Sequence, residues 1–300
     1  MQDHLVSYIQ HPKNLYMKII ESPREGMQGL ERYIPAEHKA EYINALLKAG
    51  FDTVEVGSIV SARLIPQMRD SMEVLKMLDP SSGKSKLMML AANKKGAELI
   101  AERDEISCIS FPFSFSPEFL KRNLNSDFEE ALATVDYFLD LCNRRNKTLI
   151  LYISMAFGNP YGEEWTHEIL LETVAQVHKM GARTIPLSNV SVPVGKETIS
   201  QVFSMLIHDF PSVEFGLHLH TTGENWFDVV DAAYQQGCRR FDSVIGGLGG
   251  CPMADKTLLG NLKTENLIEF TEHYRLVSGL SHKEIEYAES LAKKYLFLQS

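Results

Sequence analysis

Strand-like and helix-like segments alternate along this chain, and that alternation restricts its fold more than any other feature. Parallel strands need a crossover across the sheet face, so repeated strand-helix units build a parallel sheet covered by helices. Apolar strand-like runs fall at 17–21, 53–57, 87–92, 106–111, 148–154, 183–187, 213–220 and 240–245. Helical spacing covers 35–49, 66–78, 96–103, 117–145, 164–180, 197–209 and 225–236, with two closing helices at 264–278 and 281–297. Pro35 opens the first of these, and Gly50 and Gly181 stand just past helix ends, as stop signals do. Eight units with near-continuous apolar strands predict a single (β/α)8 barrel over residues 1–300, with an amino-terminal arm at 1–16 and extra closing helices at 264–300. An open doubly wound sheet is the rival. It fits less well because the first strand is followed by SPREGMQ, with one glycine where a phosphate-cradling loop needs several.

A chain of 300 residues suits one such barrel, which typically takes about 250. The formal charge of −9 and the lack of a dense Lys/Arg cluster exclude a non-specific nucleic-acid surface, which must displace counterions from phosphates. No stretch approaches the roughly 18 apolar residues of a membrane span, and the first residues lack the apolar core of a signal peptide. The expected location is therefore the cytoplasm. The 4 cysteines are scattered without paired zinc spacing and read as reduced thiols.

Barrel active sites lie where strands end and the following loops begin. The residues there are polar in nearly every unit: Arg24, Glu25 and Gln28; Glu55 and Ser58; Asn93; Ser154 and Asn159; Ser188 and Asn189; His218 and His220; Cys251 and Asn261. Side chains two apart on a strand share a face, so His218 and His220 point the same way. They are either polar residues at a wet barrel mouth or, with Glu25, ligands of a divalent ion that keeps positions open for substrate. Zinc, magnesium and manganese all suit such a set. Arg24 is either an ion-pair partner of Glu25 or a fixed charge beside a developing enolate oxygen, a role worth roughly 3–4 kcal/mol where such donors are removed. Cys251 is either an inert small hydrophobe or a thiol on a mobile loop. Gly246, Gly247, Gly249 and Gly250 permit positive φ and close approach, and Pro252 stiffens the exit. Cys108, Cys142 and Cys238 fall in strand or helix patterns and read as core.

PREGMQ after the first strand, TVEVGSIVS and IPQM around the second, HLH on the seventh and GLGGCP after the eighth occur in that order between about residues 17 and 270. Together they resemble the 3-hydroxy-3-methylglutaryl-CoA lyase family, among the metal-dependent lyase and condensing-enzyme barrels. The resemblance implies Glu25, His218, His220 and Asn261 as ligands of magnesium or manganese. It implies Arg24 as enolate stabiliser, Cys251 as proton donor and His218 as shuttle for the substrate hydroxyl proton. Gln28 and Glu55 match family active-site positions, and with Asn189 they are the expected substrate-binding residues. The implied reaction cleaves 3-hydroxy-3-methylglutaryl-CoA into acetyl-CoA and acetoacetate, in a homodimer acting on an acyl-CoA without nucleic-acid or membrane partners. Three positions depart from the family pattern: Glu25, Asn189 and Thr221 stand where it has aspartates. Those departures keep three other readings open: a lyase or aldolase for another hydroxy acid, an acetyl-CoA condensing enzyme, and a non-catalytic barrel scaffold.

Overall fold

The computed structural model describes residues 16–189, 193–221, 223–249 and 260–297. Its apolar runs form β1 (Lys18–Glu21), β2 (Thr53–Ile59), β3 (Lys86–Ala91), β4 (Ile106–Ser114), β5 (Thr148–Ser154), β6 (Thr184–Ser188), β7 (Glu214–His218), β8 (His220–Thr221), β9 (Arg240–Ser243) and β10 (Gly260–Asn261). All but β8 and β10 pair in parallel as a closed barrel, β1 through β7 in order and then β9. The ring is sealed where Lys18 to Glu21 run beside Arg240 to Ser243. The helices are α1 (Pro23–Gln28), α2 (Ala36–Ala49), α3 (Ser71–Lys76), α4 (Lys94–Ala101), α5 (Pro117–Leu124), α6 (Phe128–Arg144), α7 (His167–Met180), α8 (Lys196–Asp209), α9 (Trp226–Gln235), α10 (Thr264–Tyr274) and α11 (His282–Ala292). Among the described residues no helix is long and apolar enough to cross a membrane.

Two apolar layers hold the barrel. Ile19, Val54, Met89, Ile109, Leu151, Ile185 and Leu217 join the core between strands and helices. Inside the ring, Ile20, Met88, Cys108, Ile150 and Tyr152 form a second cluster, so the interior is packed rather than open. Cys142 and Cys238 are buried, and burial pushes both thiols up to about 12. They behave as core hydrophobes, as expected from their positions. Gly216 makes room for a long side chain on the next strand. Its register neighbour is Arg240, and a Cβ at 216 would stand 2.9 Å from the Arg240 Cδ.

Several boundaries differ from the sequence reading. The helix expected over 117–145 is two helices, α5 and α6. Asn125 turns left-handed (φ 48°) after α5, and Asp127 caps α6 reciprocally with Glu130. The apolar spacing ran across this break, but the Asp-x-x-Glu capping box overrules it. SPREGMQ, read as a loop, contains α1, with Pro23 in its first turn. Of the arm expected at 1–16, only Tyr16 falls among the described residues.

Glu21, fully buried at the end of β1, ties the ring together. Its carboxyl accepts from the Ile245 amide at 2.9 Å and from the Thr264 hydroxyl at 2.5 Å. Burial pushes this group up to about 8, against the opposing effect of those two bonds. Between its unfolded value near 4.5 and about 8, the folded chain therefore holds a proton that the unfolded chain has lost. The contribution of this group to stability falls as pH rises through that window. Glu21→Gln keeps a neutral group of the same shape, so its melting temperature should decline less between pH 5 and 8 than that of the unaltered protein. Parallel melting curves would show that Glu21 is ionised in the fold.

Candidate active site

Register alone brings a polar row to one level. Ser154 lies beside Ser188, Ser188 beside His218, and His218 beside Asp242. Neighbours in a parallel ladder face the same way, so this row crowns the apolar interior. His220 comes next, but not as a continuation of β7. The strand expected over 213–220 ends at His218, and His220 starts β8, which pairs antiparallel with β10 and sets Asn261 opposite His220. The bend is held by Asn189, whose amide oxygen accepts from the His220 N–H at 2.8 Å while its nitrogen donates to the His220 carbonyl at 2.9 Å. That side chain replaces the neighbouring strand β7 has run out of.

The two imidazoles have centroids 5.4 Å apart and meet edge to face. Glu25, from α1, completes a buried trio in which one ligand atom from each residue lies within 4.8 Å of the others. The Glu25 carboxylate stands 3.0 Å from His218 Nε2. Nδ1 of His220 is buried without a hydrogen-bond partner, which is costly unless something else occupies it. The Asn261 amide nitrogen donates to the Leu248 carbonyl at 2.7 Å, and the same side chain also hydrogen-bonds His220. One carboxylate, two imidazoles and an amide oxygen fit a divalent cation.

Arg24 is buried, and its chief partner is Glu55 rather than Glu25. Its Nε donates to Glu55 at 2.9 Å and its Nη2 lies 2.7 Å from the same oxygen, whereas Glu25 is 3.9 Å away. Gln28, one helical turn on, accepts from Nη1 at 2.8 Å, and Ser110 donates to the other Glu55 oxygen at 3.1 Å. Gln28 thus reaches the cavity wall, while Glu55 and Asn189 act as supports for Arg24 and His220. Two further expected positions serve the scaffold: Asn93 caps α4 by accepting from the Gly96 amide, and Asn159 donates to Glu163.

Asp242 and Tyr152 were missed by the sequence reading. Asp242 meets His218 Nδ1 at 3.1 Å and accepts from the Tyr152 hydroxyl at 2.5 Å. A carboxylate on the far nitrogen orients an imidazole and raises its basicity. The available signal was Arg240 and Asp242, two apart on a strand otherwise apolar enough for a barrel interior.

Loop 245–249 packs against this cluster at Glu25 and Asn261. Gly246, Gly247 and Gly249 have φ of 69°, 66° and 85°, the left-handed geometry expected for them. A Cβ on Gly249 would collide with the Glu25 carbonyl oxygen, so only glycine lets the loop lie so close. Gly250, Cys251 and Pro252 lie outside the described residues.

The charges are strongly coupled. Burial alone would raise Glu25, but His218 and Arg24 hold it well below the usual carboxylate range. Burial opposes the His218 charge, yet Glu25 and Asp242 outweigh it and lift this imidazole to about 10. Burial, with His218 and Arg24 adding to it, lowers His220 to about 4, leaving it a neutral imidazole. An ion held by this trio needs His218 deprotonated, so manganese binding should expel one proton, and affinity should rise up to about tenfold per pH unit below pH 10. Calorimetry in two buffers of different ionisation heat counts that proton. Heats independent of buffer would mean that His218 is neutral before the ion arrives.

The cluster forms one end of a cavity of about 320 Å³ whose lining includes Arg24, Glu25, Gln28, Ser154, Ser188, His218 and His220. The cavity continues outward between the loop after β2, the end of β3, and α5.

Comparison with known proteins adds a family to this geometry. The HMGL-like family matches residues 17–292. A cytoplasmic 3-hydroxy-3-methylglutaryl-CoA lyase of Rattus norvegicus is 30% identical over 283 residues, covering 93% of this chain and 81% of the relative. A hydroxymethylglutaryl-CoA lyase of Bacillus subtilis is 28% identical over 275 residues, covering 92% and 91%. The crystal structure of a Bacillus subtilis HMG-CoA lyase superposes with a TM-score of 0.87 at 26% identity, over 94% of each chain.

Proposed function

Because this chain belongs to the HMGL-like family and is a carbon-carbon lyase, we propose that it cleaves 3-hydroxy-3-methylglutaryl-CoA into acetyl-CoA and acetoacetate. The observation that carries this reading is the buried trio of Glu25, His218 and His220 at the barrel mouth, with Arg24 beside it. Magnesium or manganese, a homodimer and a cytoplasmic location belong to the same proposal.

Glu25, His218, His220 and Asn261 would hold the ion. When bound, it polarises the tertiary hydroxyl of the substrate and lowers its pKa. His218 would accept the hydroxyl proton, and Asp242, on its Nδ1, would steady the resulting imidazolium. Breaking the C2–C3 bond leaves the electron pair on the acetyl-CoA enolate. Arg24, held rigid by Glu55 and Gln28, offsets the charge on the enolate oxygen. Cys251 returns a proton to C2. Gln28 contacts the substrate, and Asn189 fixes the His220 backbone.

The test is a coupled assay for acetyl-CoA and acetoacetate with magnesium, with manganese and with chelator. Release that needs the ion is the expected result. No release from folded, manganese-loaded protein would refute the substrate assignment.

A further inference from the structure

Loop 245–249 has the ligand cluster on one side and the last described turn of the chain on another. Towards the cluster, Gly249 lies against the Glu25 carbonyl, and the Leu248 carbonyl accepts from Asn261. Towards the turn, a Cβ on Gly246 would stand 2.2 Å from Cζ of Phe297 and 3.0 Å from its Cε1. The phenyl ring therefore fills the place of the side chain that Gly246 lacks.

Phe297 does not hang on a loose tail. It ends a π-helical turn, Lys293–Phe297, that continues α11, and such turns are rare and frequently found at functional sites. Tyr295, in the same turn, stacks on His38 of α2 with ring centroids 4.2 Å apart, and its hydroxyl donates to Glu41. Leu296 is buried in the main core, and Phe297 packs against that core. The ring is thus carried by a fixed element.

Two carboxylates grip the start of the loop. Glu21 accepts from the Ile245 amide and Glu265 from the Gly246 amide, each at 2.9 Å. A hydrogen bond fixes the direction of an amide but lets the peptide pivot about it, and the ring takes up the space beside Gly246 into which it would swing. Without the ring a void opens there, and surrounding structure relaxes part-way into a void. Such a shift moves the contacts of Leu248 and Gly249 with Asn261 and Glu25.

We propose, resting on the ligand set given above, that Phe297 is a positioning residue for the divalent ion. Its ring braces loop 245–249 against Asn261 and Glu25, so the π turn sets the affinity of a site to which it gives no ligand atom. Removing an outer partner of a ligand typically costs 10–100-fold in metal affinity, and Phe297 stands one contact further out, so its loss should cost about tenfold.

The experiment titrates manganese into the full chain and its variants by calorimetry, well below their melting temperatures. Phe297→Ala should bind about tenfold more weakly than the unaltered protein, and Phe297→Leu, which refills most of the space, should recover most of that loss. The control is Phe138→Leu, a change to a fully buried side chain of α6, which packs on β4 and β5 across the ring from β1 and β9. It should lower the melting temperature and leave Kd unchanged. An unchanged Kd in Phe297→Ala, with only its melting temperature lowered, overturns the proposal and leaves the ring a core hydrophobe. Equal weakening in Phe138→Leu also overturns it, because lost stability alone would then account for the effect. Should Phe297→Ala not fold, Phe297→Val is read in its place. No manganese binding by the unaltered chain refutes the ligand set itself and this proposal with it.

Discussion

His220→Ala is expected to yield a folded barrel that no longer binds manganese. The substitution removes the imidazole but leaves the backbone in place. The His220 N–H and carbonyl remain clasped by the Asn189 amide, and β8 remains paired with β10. What disappears is the one neutral ring among the ligand groups, the nitrogen that needs no deprotonation to coordinate. Removing outer partners of a ligand typically costs 10–100-fold in affinity, and losing the ligand itself should exceed that. Manganese at 1,000 times its Kd stabilises a protein by about 4 kcal/mol, so the melting temperature of the unaltered chain should rise clearly on titration. That of the variant should not move. A variant that still gained stability from manganese would place the ion away from this trio.

Cys251→Ser should separate chemistry from binding. A hydroxyl is a far weaker acid than a thiol, and a positioned proton donor is worth roughly 10²–10⁴-fold. Turnover should fall within that range while manganese-dependent melting stays unchanged. Gly249, two residues earlier, already lies against the Glu25 carbonyl, with the neighbouring Leu248 carbonyl bonded to Asn261. The last described residue of this loop, Gly249, thus stands at the edge of the candidate ligand cluster. Turnover equal to that of the unaltered protein would remove the thiol from the mechanism.

The parts of this site legible in the sequence were those governed by periodicity. Strand alternation put His218 and His220 on one face, and the position of strand ends gathered Arg24, Glu25 and Gln28 at the same mouth. The parts that were not legible depend on backbone hydrogen bonds between distant segments. Nothing in the local pattern around Asn189 announces that its amide will stand in for a strand. The departure of His220 from β7 is equally silent, because HLH has the same alternation whether its partner is a barrel strand or β10. Asp242 was overlooked because a charged residue inside a short barrel strand was counted as part of the strand. Its pairing with His218 emerges only once β7 and β9 are adjacent.

Glu25 follows the first strand of the ring, whereas Asn261 lies beyond the last and is set opposite His220 by the pairing of β10 with β8. During synthesis the chain emerges from its amino end, so the cluster must wait until residue 261 has left the ribosome and the ring has closed around it. Barrels missing their final unit contain Glu25 and both histidines but not the strand that presents Asn261. If Asn261 is a ligand as proposed, an ion that favours the finished cluster rewards completion of the ring.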